Sequence, residues 1–203
     1  MFKRISLWIA LVFIASYVLY GVESYALQRQ LADKTVRLHV IANSDSEEDQ
    51  ALKLAVRDAV LEVSASLTAN CTDAEEAKAV LGENLSLLEQ TAKNVLIEQG
   101  RDSEVRVSLQ AEKFDTRYYD TFTMPAGAYP ALCVRIGKAE GKNWWCVVFP
   151  SLCTAAGAEE FDHAAEVGGF TDQEQELMEQ GEEGYILRFK TLEWIRKLTE
   201  LFS

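Results

Sequence analysis

The chain has few of the residues that most catalytic sites require. Its 203 residues include two histidines, His39 and His163, and only four cysteines. An HExxH zinc motif, a GxSxG nucleophile turn and a glycine-rich phosphate loop are all absent from the sequence. The common zinc-protease, serine-hydrolase and P-loop sites are therefore not expected.

Basic residues are also scarce, and they are unevenly spread. The chain has 20 lysines and arginines against 32 acidic residues, which gives a net charge of −12. Because no basic stripe is available to neutralise phosphates, we expect no binding to nucleic acid or to anionic lipid. No lysine or arginine lies between Lys142 and Arg188, and we expect residues 155–184 to form a loose acidic region with a short helix near 172–180.

The N-terminus carries the one long apolar run. A basic pair, Lys3 and Arg4, precedes apolar residues 5–20, and the small residues Ser24 and Ala26 suit cleavage after Ala26. The run is long for the core of a signal peptide, yet it is slightly short for a spanning helix, which needs roughly 20 apolar residues. Both interpretations place the positive end in the cytoplasm and send the rest of the chain across the membrane.

These features predict three segments. Residues 1–26 are an export signal or, if they are not cleaved, a membrane anchor through residues 5–22. Residues 27–34 are expected to be a polar spacer with little to pack. Residues 35–203 are expected to form a single domain, because roughly 170 residues are enough for one full core and too few for two sizeable domains.

The first half of this domain predicts a strand followed by two helices. Thr35–Ala42 alternates as a strand does, with Val36, Leu38 and Val40 on one side and Arg37, His39 and Ile41 on the other. Ser44 or Ser46 with the following acids is typical of a helix N-terminal cap, and we expect helices over about 46–67 and 73–98. The short link between these helices predicts an antiparallel pair.

The second half predicts a β-hairpin. Tyr129–Ile136 and Trp144–Phe149 are apolar and β-prone, and the turn-like stretch Gly137–Asn143 joins them. A symmetric turn would place Cys133 opposite Cys146. It would also place Arg135 beside Trp144, and Trp145 with Leu132, Val134 and Val147 on the more apolar side.

Weaker signals complete the fold. Residues 104–110, 117–124 and 185–189 are predicted strands, and residues 191–202 form an amphipathic helix that packs on the sheet or, alternatively, serves as a partner-binding or membrane-touching tail. The predicted fold is therefore α+β: an antiparallel sheet with an N-terminal helical pair and a C-terminal helix packed on it.

Two sets of residues could carry chemistry. Asn43, Asp45, Glu47 and Asp49 are spaced like calcium ligands, but Glu48 stands where the loop needs glycine and Leu54 where it needs glutamate, so a capped helix start is favoured. His39 could act with Asp45, Asp49 or Cys146 as a base, metal or nucleophile site. We favour a structural histidine and expect no catalytic residue, metal or cofactor.

The cysteines leave several arrangements open. Outside the cytoplasm, paired cysteines are the default, and four cysteines allow three pairings. Hairpin geometry permits Cys133–Cys146, and a chain reversal at Pro150 permits Cys146–Cys153. Four free thiols are the remaining alternative.

Two stretches resemble the stage II sporulation protein R family of endospore-forming bacteria. They are RLHVIANSDSEEDQALKLAVRDAV at 37–60 and YPALCVRIGKAEGKNWWCVVFPSLC at 129–153. The chain departs from the family at Pro150-Ser151, where two prolines are usual. Cys146 and Cys153 fall inside the matching motif, and Cys71 and Cys133 lie outside the family's cysteine pattern, so the resemblance favours a disulfide between Cys146 and Cys153.

The resemblance implies a signal and not an enzyme. Family members are exported from the forespore into the space between forespore and mother cell. There they activate a membrane-embedded aspartic protease of the mother cell, which processes the pro-sigma-E transcription factor precursor. On this basis the expected partner contacts are His39, Asn43, Asp45, Asp49, Arg135, Lys142, Asn143 and Trp144. The alternative is an exported cell-wall hydrolase that uses His39 and Asp45.

Overall fold

The computed structural model describes residues 2–152 and 158–179. The helices are α1 (Phe2–Asp33), α2 (Glu47–Thr68), α3 (Ala74–Glu83), α4 (Leu85–Glu98), α5 (Ala158–Val167) and α6 (Asp172–Glu179). The strands are β1 (Val36–Ile41), β2 (Val105–Phe114), β3 (Arg117–Tyr118), β4 (Thr123–Met124), β5 (Gly127–Ile136) and β6 (Asn143–Phe149). The predicted strand 185–189, the predicted helix 191–202 and Cys153 lie outside the described residues.

The main sheet has the strand order β2-β5-β1-β6, and β3 pairs with β4 in a separate small sheet. The α+β prediction is confirmed, but the sheet is mixed and not purely antiparallel, because β1 runs parallel to β5 and antiparallel to β6. The predicted hairpin is wrong, since β1 lies between its two arms. Strands two places apart in a sheet are roughly 10 Å apart, a gap that the connection 137–142 spans easily.

The insertion of β1 also changes which side chains meet. Cys133 is in register with His39 of β1, whereas Cys146 is in register with Leu38. Cys133 therefore lies on one face of the sheet and Cys146 on the other. The predicted sides of the two tryptophans are reversed, because Trp144 packs with Leu132 and Val134 and Trp145 does not.

One face of the sheet is covered by α2, α3 and α4. Its core is mainly apolar and includes Val36, Leu38, Val40, Val56, Leu81, Leu88, Leu96, Leu132 and Val134. The helix α2 also buries Lys53, Ser64 and Thr68. The α2 prediction is confirmed, with Ser46 as the N-cap that accepts a hydrogen bond from the Asp49 backbone N–H. The predicted single helix 73–98 is instead two helices, because Asn84 leaves the helical conformation (φ −108°, ψ 17°) and its side chain donates to the Val80 carbonyl.

Among the residues that the structure describes, the other face is covered at only one end, by the last turns of α1 and by α5 and α6, and we call the rest of this face the open half. The expectation that residues 27–34 have little to pack is wrong, since Leu31 and Ala32 are buried against the sheet. The expectation of a loose loop is wrong for residues 158–179, because Phe161 and Met178 enter the same core. The α6 prediction near 172–180 is confirmed.

Two features bear on the N-terminal segment. Several apolar side chains of α1 before residue 26 are exposed: Trp8, Leu11, Val12, Leu19, Val22 and Tyr25. In the part of the chain that the structure describes, no helix combines the length and apolarity needed to cross a membrane. The export signal stays a prediction.

Candidate functional site

All eight expected contact residues lie at one end of the sheet. We call residues 42–49 the corner, which joins β1 to α2, and residues 137–142 the turn, which joins β5 to β6. Because β1 and β5 are parallel, both strands end at this edge, and the antiparallel β6 starts there. The sequence therefore identified one contiguous region, although its two motifs are far apart in the chain.

The corner and the turn are joined by hydrogen bonds. The Asn43 side-chain oxygen accepts from the Lys138 backbone N–H at 3.0 Å, and an Asp45 carboxylate oxygen accepts from the Lys142 backbone N–H at 2.6 Å. The approach is too close for side chains at the glycines, because a Cβ on Gly141 would lie 2.2 Å from a backbone carbonyl oxygen of the corner. These contacts make the two loops one rigid unit.

Asp49 belongs to the helix cap of the corner. Its Oδ2 accepts from the Ser44 hydroxyl at 2.5 Å and from the Asn43 side-chain amide at 2.8 Å. These two hydrogen bonds, the Ser44 bond first, lower the pKa of Asp49 from its ordinary value. Asp45 and Asp49 thus serve local structure and have donors in place, in agreement with the capped-helix interpretation.

A second group of side chains lies on the open half of the other face. We call His39, Glu112, Cys133, Arg135 and Asn143 the His39 cluster. The His39 Nδ1 is 2.5 Å from Glu112 Oε2, and its Nε2 is 3.0 Å from Asn143 Oδ1. The other Glu112 oxygen accepts from Arg135 Nη2 at 2.9 Å.

Glu112 is the functional candidate that the sequence reasoning missed. The predicted strand ended at residue 110, but β2 continues to Phe114 and places Glu112 on the same face as Ser108 and Gln110. Continuing the alternation by two residues would have found it. Burial alone would raise the pKa of Glu112, but hydrogen bonds from His39 and Cys133 hold it below the ordinary value.

Cys133 is not available as a nucleophile. It is fully buried, and burial together with the neighbouring Glu112 raises the pKa of its thiol to about 12. A thiol is reactive mainly as the thiolate, and a buried thiol with a raised pKa stays protonated at neutral pH.

An arginine packs over each of the two tryptophan rings of β6, and the two rings lie on opposite faces of the sheet. Arg57 of α2 lies 4.3 Å from the Trp144 ring centre, where Arg135 was expected. Arg117 lies 3.5 Å from the Trp145 ring centre, and Trp145 also stacks on His39 at 5.5 Å between ring centres. Trp144 is partly buried against the apolar core, so it has a packing role.

The pairings considered for a hydrolase are not formed. Asp45 bonds the turn backbone and His39 bonds Glu112, so the predicted His39–Asp45 pair is wrong. Cys146 lies on the face opposite His39 and cannot act with it.

The cysteines are partly assigned. Cys71 and Cys133 are free, which rules out the Cys133–Cys146 pairing. Cys146 has an interaction partner. Its expected partner, Cys153, lies outside the described residues, so Cys146–Cys153 stays a prediction.

Comparisons with known proteins agree on one family. A family model described as stage II sporulation protein R matches residues 32–159, which include the corner, the turn and the His39 cluster. The stage II sporulation protein R of Bacillus subtilis (strain 168) is 31% identical over a 194-residue alignment that covers 85% of this chain and 84% of that protein. No solved structure matches the chain. The chain therefore belongs to the stage II sporulation protein R family.

Proposed function

We propose that this protein is an exported sporulation signal that activates a membrane-embedded aspartic protease of the mother cell. That protease would then process the pro-sigma-E precursor. The observation that carries the proposal is the family match over residues 32–159, which spans most of the folded domain. An apolar leader and an acidic chain without a basic stripe are compatible with export.

The geometry supports a binding function better than a hydrolytic one. Among the described residues, His39 has both ring nitrogens engaged, Cys133 is buried and Asp45 bonds the turn. Nucleophilic catalysis needs a nucleophile and a base in contact at an accessible surface. The described residues of the His39 cluster and the corner do not supply that combination.

The corner and the turn are the surface that fits a protein contact. Asp45, Lys138, Glu140 and Lys142 are exposed there, above a backbone that the Asn43 and Asp45 hydrogen bonds hold rigid. A rigid surface loses little conformational entropy on binding. The signal would shift the receptor toward its active state by binding that state more tightly than the inactive one. A ~100-fold difference in affinity between the two states is worth about 2.7 kcal/mol.

The export part of the proposal includes the Cys146–Cys153 disulfide. Disulfides form and persist in compartments outside the cytoplasm. Peptide mapping of the exported protein without reduction should give one linked peptide pair that contains both residues. Recovery of four free thiols from the exported protein would contradict the pairing.

The contact proposal is tested by charge reversal at exposed positions. Lys138→Glu and Lys142→Glu keep the backbone N–H groups that hold the turn, and Lys93→Glu, at an exposed position of α4 outside the corner and the turn, is the matched control. Each variant replaces the native protein in a sporulating host, and both precursor cleavage and the amount of exported domain are measured.

We expect the two turn variants to reduce cleavage at an unchanged amount of exported domain, while Lys93→Glu keeps normal cleavage. Normal cleavage in both turn variants would contradict the contact surface. Retention of the domain inside the cell that makes it, with cleavage intact, would contradict the signalling function itself.

A further inference from the structure

Three potential metal ligands of different chemistry converge in the His39 cluster. The His39 Nδ1, a Glu112 carboxylate oxygen and the Cys133 sulfur all lie within 4.8 Å of one another. They come from β1, β2 and β5, three neighbouring strands of one sheet. Strands hold side chains more precisely than loops do, which is what a metal centre requires.

The hydrogen bonds of the His39 ring are compatible with a cation bound at one ring nitrogen. Both partners of the ring are oxygen acceptors: Asn143 Oδ1 at Nε2 and Glu112 Oε2 at Nδ1. A neutral imidazole carries only one N–H, so it can donate to only one of them. A cation on Nδ1 would satisfy both sides, because Nε2–H still donates to Asn143 and the cation binds Glu112.

The surroundings resemble the outer shell of a metal site. Metal-binding histidines usually donate their second ring N–H to a carbonyl or carboxylate oxygen, and Asn143 is placed to accept it. Arg135 holds Glu112 Oε1, which leaves Oε2 directed at the ring. Asn143 therefore orients His39, and Arg135 orients Glu112, toward the same point.

We propose that His39, Glu112 and Cys133 bind a divalent transition-metal ion of the zinc class. A set of one nitrogen, one oxygen and one sulfur suits Zn²⁺, whereas Mg²⁺ and Ca²⁺ take oxygen ligands alone. Three protein ligands leave a fourth tetrahedral position, which water can reach because the His39 and Glu112 side chains are 13% and 19% exposed.

The exchange of ions is balanced. The metal binds the His39 Nδ1 in the tautomer that carries its proton on Nε2, and it displaces the thiol proton of Cys133, which passes to solvent. Burial and Glu112 keep the Cys133 pKa raised in the metal-free protein. A dication at the same point reverses that effect, since a coordinating thiol is deprotonated by its metal.

Cobalt(II) is the probe, since it occupies zinc sites and reports its ligands by absorption. The purified full chain is titrated with Co²⁺, and bound Co²⁺ is then displaced with Zn²⁺. We expect one Co²⁺ per chain, with a thiolate-to-cobalt charge-transfer band that Zn²⁺ removes. Asn143→Ala should weaken binding by about 10–100-fold, the usual effect of losing an outer-shell partner.

The controls separate this site from general thiol binding. Cys133→Ser should abolish the charge-transfer band, and Cys71→Ser, which removes the other buried free thiol, should leave it unchanged. His39→Gln provides a second ligand variant if Cys133→Ser does not fold, as judged by circular dichroism. A folded wild-type chain without the band, or a band that survives in a folded ligand variant, would overturn the proposal. The readout does not involve sporulation, so the proposal stands or fails independently of the signalling function.

Discussion

The two faces of the central sheet are built from the same strands but differ in kind. The sheet residues beneath α2, α3 and α4 are apolar, whereas the other face buries Arg37 among aromatic rings at one end and carries the His39 cluster at the other. Alternate residues of β1 make the difference, since Leu38 and Val40 face the helices and Arg37 and His39 face away. The first face holds the larger apolar core, and the open half of the second carries polar groups that hydrogen-bond to one another.

The largest effect expected in this comparison comes from the helix-covered face. Leu88→Ala removes a fully buried side chain of α4, and we expect a loss of about 2–5 kcal/mol in the free energy of unfolding. The neighbouring Leu87 is 48% exposed, so Leu87→Ala should change stability by only about 0.5 kcal/mol. Urea unfolding of both variants checks the difference, and equal losses would contradict the assigned burial.

The next largest effect concerns the end of the sheet where the turn packs against the corner. Gly137 has φ +57° and a Cβ there would lie 2.2 Å from Asn43 Oδ1, while Gly100 has φ +71° and open space around it. Both alanine variants carry the strain of a left-handed residue, about 1–2 kcal/mol. Gly137→Ala should be the less stable of the two because it also displaces Asn43. Thermal unfolding compares them, and equal melting temperatures would show that the corner tolerates the displacement.

The polar half of the second face should make the stability of the protein depend on pH, through Glu112. The pKa of Glu112 is lower in the folded protein than in the unfolded chain, so its contribution to stability is complete above the unfolded pKa of about 4.3. That contribution is lost as the pH falls through the folded pKa. Glu112→Gln should therefore lose stability at neutral pH and show a flatter decline in acid. Parallel acid-unfolding curves for the two proteins would contradict this role.

The smallest expected effect comes from the arginines that cover the two tryptophans. Arg57→Ala on the helix-covered face and Arg117→Ala on the open face each remove a cation–π contact worth about 0.5–1 kcal/mol. Tryptophan fluorescence during urea unfolding measures both variants. A loss of several kcal/mol in either would mean that the arginine holds more than the ring.

Local patterns predicted the local structure of this protein well. Alternation placed the β1 side chains on their correct faces, and Ser46 marked the start of α2, because both signals depend on neighbours in the chain. The pairing of strands depends on distant residues, and nothing in 129–149 showed that β1 would enter between β5 and β6.

The candidate site was predicted in part, for a similar reason. The motifs located the corner and the turn, but the His39 cluster also needs Glu112, which lies in neither motif. Residues 27–34 looked polar, yet Leu31 is fully buried and Lys34 reaches the buried Glu174 carboxylate at 2.6 Å. The sequence of a short amphipathic segment does not indicate which surface the segment will pack against.

The central position of β1 has a consequence for how the chain reaches its native state. His39 meets Asn143 across 104 positions of sequence, so the sheet cannot close until β5 and β6 have both arrived. A chain that is synthesised from its N-terminus keeps β1 without either neighbour until β5 and then β6 have been made. The helices α2 to α4 can assemble earlier, but β1 can pair only after β5 and β6 are present. Closure of the sheet is therefore a late and non-local step, and we expect it to be slower than the folding of a sheet made of successive hairpins.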